Sequence, residues 1–106
     1  MTTPAPEETI DDLAEARPRP GTVIDVRGPE EFAAGHVPGA LNVPLEDVLA
    51  SPDRSYTDDG DTVHVICQSG RRSLKAAEAM NAAGVPAISV AGGTTAWIES
   101  GRSVEA

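Results

Sequence analysis

Short apolar runs alternate along this chain with amphipathic segments, and glycine or proline closes most of them. Thr22-Val23-Ile24-Asp25-Val26, the run Val63 to Cys67, and Ala87-Ile88-Ser89-Val90 are short and rich in β-branched residues, which predicts strands. Ala40-Leu41-Asn42-Val43-Pro44 predicts another. Thr9 is placed to cap a helix through Ala16, with Asp11 and Asp12 in its first turn, where the helix dipole favours negative charge. Pro18, Pro20 and Gly21 then stop it. Gly28-Pro29-Glu30-Glu31 opens a helix that Gly35 ends, with Pro29 at a tolerated early position. Leu45 to Ala50 predicts a further short helix.

From Ser73 to Ala83 the residues Lys75, Glu78 and Asn81 make a polar stripe, and Leu74, Ala76, Ala77, Met80 and Ala83 fill the rest of the wheel. Gly84 and Pro86 follow as stop signals, and Gly92-Gly93 leads into a last helix through Glu99. Residues 1–8 read as a flexible tail and Ser51 to Asp61 as a polar loop.

Strands and helices alternate, and no Asn-Gly-type hairpin signal joins two strands. That pattern predicts an α/β fold, a parallel sheet covered on both faces by helices. A chain of 106 residues has room for one core, so residues 9–106 form one domain. Aromatics are only 3%, which leaves the core to Val, Ile, Leu and Ala and favours close packing of helices on the sheet.

The net charge of −9 argues against a nucleic-acid or anionic-membrane partner, since phosphate contacts need clustered Lys and Arg. No apolar run approaches the roughly 20 residues that span a bilayer. Met1 to Glu8 has neither the basic start nor the apolar middle of a signal peptide. One cysteine excludes an internal disulfide framework, and the simplest location is the reducing cytoplasm. With one Cys and two distant His, no zinc site is proposed. Asp58-Asp59-Gly60-Asp61 lacks the twelve-residue spacing of a calcium loop and reads as a solvated turn.

That lone cysteine, Cys67, lies between the end of a strand and the start of a helix. In open parallel sheets ligands bind beyond the carboxyl ends of the strands. Three features favour its thiolate, the form that attacks or accepts sulfur. A helix starting near Ser73 turns unpaired N–H groups toward the loop. Gly70 permits a conformation in which successive N–H groups face inward as an anion nest. Arg71 and Arg72 add fixed positive charge to a strongly negative chain.

These residues resemble the rhodanese (thiosulfate sulfurtransferase) family in its single-domain form, over almost the whole chain after the tail. Ile24-Asp25-Val26-Arg27 with Glu30-Glu31-Phe32 is similar to its first motif, and Gly35-His36-Val37-Pro38-Gly39-Ala40 with Asn42 and Pro44 to its second. Cys67-Gln68-Ser69-Gly70-Arg71-Arg72-Ser73 resembles its active-site loop, and Gly92-Gly93 with Trp97 its last block.

The resemblance implies a mostly parallel sheet of about five strands and a two-step reaction. Cys67 would take the outer sulfur of thiosulfate, or of a similar donor, as a persulfide, and cyanide or a thiol would remove it. Backbone N–H groups from Gln68 to Ser73 would hold the sulfur anion. Arg72 would close the loop, and Arg71 would bind the sulfite end. Gln68 and Ser69 would face the pocket mouth. No cofactor is implied beyond the covalent persulfide, and nothing in the sequence requires more than a monomer.

The resemblance also makes Asp25 and Arg27 a structural ion pair and His36 a loop-packing residue, since a low-pKa thiolate needs no base. His64 reads as a hydrogen-bonded core residue and Trp97 as packing. Cysteine-dependent phosphatases place five residues between Cys and Arg; here four separate Cys67 from Arg72, which disfavours that chemistry. Two alternatives stay open: a rhodanese-fold binding module without turnover, and a persulfide carrier for one protein partner.

Overall fold

The computed structural model describes residues 5–19, 21–54, 56–57 and 60–106. Tail residues 1–4, the helix stop at Pro20 and loop positions Ser55, Asp58 and Asp59 lie outside the described residues. Ten elements follow in order: β1 (Glu7–Glu8), α1 (Ile10–Ala16), β2 (Val23–Asp25), α2 (Pro29–Ala34), β3 (Leu41–Asn42), α3 (Leu45–Ala50), β4 (Val63–Ile66), α4 (Arg71–Ala82), β5 (Ala87–Val90) and α5 (Gly93–Glu99). The five strands form one parallel sheet in the order β1-β5-β4-β2-β3.

Local chemistry sets the helix ends. Thr9 caps α1 through a reciprocal box: its Oγ1 accepts from Asp12 N, and Asp12 Oδ2 accepts from Thr9 N, each at 3.1 Å. On α4 the buried residues Ser73, Ala76, Ala77 and Met80 follow i, i+3, i+4, i+7 spacing, which turns one stripe onto the sheet. This helix begins two residues earlier than expected, at Arg71, with Gly70 as a left-handed N-cap at φ 108°. Its first turn is polar, so hydrophobic periodicity gave no sign of it.

Helices cover both faces of the sheet. One face packs Ile24, Val63, Val65, Cys67 and Ala87 against Val48 of α3 and Ala76, Ala77 and Met80 of α4. The other packs Val23, Ile66 and Val90 against Leu13 of α1 and Trp97 of α5. Strand alternation divides β4 between them, Val63 and Val65 on one side and Ile66 on the other.

The expected tail gives way at its end. Glu7 and Glu8 form an edge strand on β5, with Ser89 N donating to Pro6 O at 2.9 Å and Ala91 N to Glu8 O at 2.8 Å. Ala5 is buried among the α3–α4 face residues. Two glutamates carry no apolar alternation, and the bonds that make them a strand are backbone bonds, which leave no mark in residue type. The Glu8 carboxylate reaches His64 Nδ1 at 2.5 Å, which ties this edge to the central strand.

Deleting residues 1–8 removes at least two backbone ladder bonds, the burial of Ala5 and the Glu8–His64 pair. Each such bond contributes about 1 kcal/mol net, so the deletion is expected to destabilise the domain by about 2 kcal/mol or more in a urea titration. An unchanged midpoint and slope would mean that the edge strand contributes nothing to the fold.

Candidate active site

Cys67 follows β4, the middle strand, which β2 and β5 flank. Strand order departs in opposite directions from this point, to β3 beyond β2 and to β1 beyond β5. In open parallel sheets this carboxyl end is the one at which ligands bind. Gly70 turns the chain there, and its backbone conformation is what calls for glycine. Its φ of 108° lies in the left-handed region that side chains rarely adopt, while a Cβ there would meet Gly92 N at 3.4 Å, an ordinary contact.

The loop orients its peptides toward the sulfur. Thr94 N and Thr94 Oγ1 donate to Cys67 O at 2.8 and 3.0 Å, and Thr95 N donates to Gln68 O at 3.1 Å. Because each peptide is a rigid plane, a carbonyl bound on the α5 side sends the next N–H the opposite way. Gly70 N donates to Cys67 Sγ at 3.1 Å, and Ser73 Oγ lies 3.5 Å from the sulfur. Gly93 makes this approach possible, since a Cβ there would stand 2.5 Å from Cys67 O and 2.6 Å from Gln68 O.

Cys67 is 1% exposed. Burial pushes its thiol pKa up, but the Ser73 hydroxyl and the N–H groups of Ser73, Gly70 and Ser69 outweigh that cost and hold it below its ordinary value. The arrangement stabilises a sulfur anion with one hydroxyl and a set of backbone donors.

Ion pairs fix the surrounding walls. Arg72 makes a bidentate pair with Glu31 of α2, Nη1 to Oε1 at 2.8 Å and Nη2 to Oε2 at 2.9 Å. Its hydrogen bonds lower the Glu31 pKa to about 2 against the opposing effect of burial, and Gly28 N adds a smaller downward contribution. Arg27 and Asp25 form a buried pair at 2.8 Å, and Arg27 also donates to Gly35 O at 2.8 Å. Asn42 Nδ2 donates to Arg27 O at 2.8 Å. Gln68, expected at the pocket mouth, is exposed, but its amide is tied to both sides. It accepts from Arg27 Nη1 at 3.3 Å and donates to Thr95 Oγ1 at 2.6 Å. Ser69 is exposed, and the exposed Arg71 has no side-chain partner among the described residues.

The two histidines sit elsewhere. His36 stacks on Phe32 with centroids 3.6 Å apart, its Nδ1 is 2.8 Å from Phe32 O, and its backbone pairs with Glu105. His64 is the partner of Glu8. Trp97 packs in the α1–α5 core and donates its indole N–H to Ser103 O at 2.9 Å. No group of three or more His, Cys, Asp or Glu able to hold a metal occurs among the described residues. Nor is any described helix long and apolar enough to cross a membrane.

Sequence reasoning did not assign Glu31 as the partner of Arg72, the tie of Thr94 and Thr95 to the cysteine loop, or Ser89, whose Oγ lies 2.8 Å from Ser73 Oγ. Ser73 carried a readable signal, a polar residue inside the apolar stripe of its helix.

The chain belongs to the rhodanese-like domain family, whose model matches residues 6–100. It is similar to the Escherichia coli thiosulfate sulfurtransferase PspE, 41% identical over 70 residues that cover 66% of this chain and 67% of that protein. Similarity also extends to thiosulfate sulfurtransferase 16 of Arabidopsis thaliana, a chloroplastic protein, at 39% identity over 94 residues and 78% of each chain. Among solved structures, a rhodanese-related protein from Thermoplasma volcanium superposes with a TM-score of 0.82 at 30% identity, covering 93% of this chain and 96% of that one.

The Glu31–Arg72 pair sets a pH dependence. A carboxylate whose folded pKa is about 2 contributes its full stabilisation above its ordinary 4.5 and loses it as pH falls toward 2. Both side chains are over a third exposed, 38% and 42%, so the contribution is on the order of 0.5 kcal/mol and weakens in salt. Thermal melts of wild type and Glu31→Gln are expected to differ above pH 4.5 and to converge toward pH 2. A constant difference across that range would contradict the pairing.

Proposed function

We propose that the protein is a sulfurtransferase in which Cys67 carries sulfane sulfur as a persulfide. The Cys67 thiolate attacks the outer sulfur of thiosulfate or a similar donor. The new S–S bond forms as the donor's bond breaks, and sulfite leaves with that bond's electron pair. An acceptor then attacks the outer sulfur of the persulfide, giving thiocyanate from cyanide or a new persulfide from a thiol, and restores the Cys67 thiolate.

The observation that carries this reading is the Gly70 N–H donating to Cys67 Sγ at 3.1 Å, with Ser73 Oγ 3.5 Å from the same sulfur. Such preorganised dipoles stabilise an anion on either the first or the second sulfur without reorganising. Arg72, held by Glu31, keeps the loop closed, and Arg71, exposed and without a side-chain partner among the described residues, would meet the sulfonate end of a donor. The names of the two sulfurtransferase relatives support the same chemistry. With no second cysteine to form a disulfide, an external acceptor must resolve the persulfide.

Intact mass after incubation with thiosulfate tests the proposal, with wild type and Cys67→Ala compared before and after a thiol reductant. Wild type is expected to gain one sulfur that the reductant removes, and Cys67→Ala none. Arg72→Ala is expected to lose most of the turnover with cyanide, and His36→Ala to retain persulfide formation when folded. No sulfur gain in folded wild type, with thiosulfate or with a second sulfane donor, would turn the reading toward a binding module.

A further inference from the structure

Ser89 lies in β5, in register with Val65 and on the side of the sheet that α4 covers, and it is fully buried. Its neighbours on that face include Val63, Val65 and Ala87. A hydroxyl buried there costs about 1–3 kcal/mol unless it is hydrogen-bonded. Among the described residues its Oγ has one partner, Ser73 Oγ at 2.8 Å. Ser73 is the polar member of the buried stripe of α4 and has two further contacts, Gly70 O at 3.2 Å and Cys67 Sγ at 3.5 Å. The two hydroxyls thus form a chain from the interior of the sheet to the sulfur.

A hydroxyl has one proton to give. Ser73 can give its proton to Ser89, to Gly70 O or to the sulfur, and the choice depends on the state of Cys67. A thiol donates its own S–H toward Ser73 Oγ. A sulfur anion has nothing to donate and needs a proton aimed at it. Ser89 decides which arrangement is favoured, because among the described residues Ser73 Oγ is the one side-chain acceptor within reach of its hydroxyl.

We propose that Ser89 is a positioning residue: its hydroxyl donates to Ser73 Oγ and so turns the Ser73 proton onto the anionic sulfur of Cys67. Accepting one hydrogen bond polarises a hydroxyl and makes it a better donor in the next, so the chain is stronger than the Ser73 contact alone. The same device serves a thiolate and the anion of a persulfide. This rests on the reading of Cys67 as a reactive anion and adds to it a buried group that touches no substrate.

Charged groups around the loop are Arg71 and Arg72 of α4, Glu31 of α2 on Arg72, and the Asp25–Arg27 pair at the end of β2. From α5 come the uncharged Thr94 and Thr95. None of these changes in the test variants, so a shift in the sulfur titration reads the hydroxyls.

Thiolate absorbance at 240 nm is the readout, since Cys67 is the single cysteine and Cys67→Ala supplies the blank. Ser89→Ala is expected to raise the titration midpoint by about one unit, a tenfold loss of thiolate below it. Ser73→Ala raises it at least as far, and the double variant Ser73→Ala/Ser89→Ala equals Ser73→Ala alone. Ser89→Thr, which keeps the hydroxyl, holds the wild-type midpoint and covers the case of an alanine variant that does not fold.

Three results overturn the proposal: an unmoved midpoint in Ser89→Ala, a Ser89→Ala shift that survives in the Ser73→Ala background, or a Ser89→Thr midpoint displaced like that of alanine. A wild-type thiol titrating at the ordinary value near 8.5 overturns the parent reading and this one with it.

Discussion

The site depends on one constraint: the peptides that follow β4 are turned so that their N–H groups meet at a buried sulfur. Burying a thiol alone would keep it protonated. Here the desolvation is outweighed because Ser69, Gly70 and Ser73 supply donors whose directions are already fixed. Other features hold those directions. The start of α5 binds the carbonyls of Cys67 and Gln68, Gly93 lets it approach, and Gly70 supplies the left-handed turn. α4 then begins directly at Arg71, which brings the Ser73 hydroxyl and N–H to the sulfur.

Charge is arranged on the same logic. A chain of net charge −9 should repel a small anion, yet three of its eight basic residues lie within five positions of one another at Arg71, Arg72 and Lys75. Arg72 is held by Glu31 and Arg27 by Asp25, so two guanidinium groups have fixed positions, one at the loop and one below it. Among the described residues Arg71 has no such tie. The two paired cations shape the loop.

Much of this was legible in the sequence, for physical reasons that differ by element. The apolar runs of β2, β4 and β5 and the glycine and proline punctuation between helices identified an α/β fold, because burial on both faces of a sheet leaves that pattern. β1 was missed because its pairing is made by backbone atoms of two glutamates. Cys67, Gly70 and the two arginines were readable as an anion site from residue type and order alone. Their partners were not. Glu31 is 41 residues from Arg72, and the hydroxyl of Ser89 is 16 from Ser73. Only the crossing of β5 beside β4, and of α2 beside the loop, brings them together.

The arrangement of N–H donors at Cys67 can be observed directly by following the backbone amide resonances of Ser69, Gly70 and Ser73 as pH is raised. All three are expected to move together, with one midpoint clearly below the 8.5 of a free thiol. In Cys67→Ala that transition should vanish. Amides that stay still while the thiol ionises, or that follow it only at the ordinary value, would mean that the loop does not hold the sulfur anion.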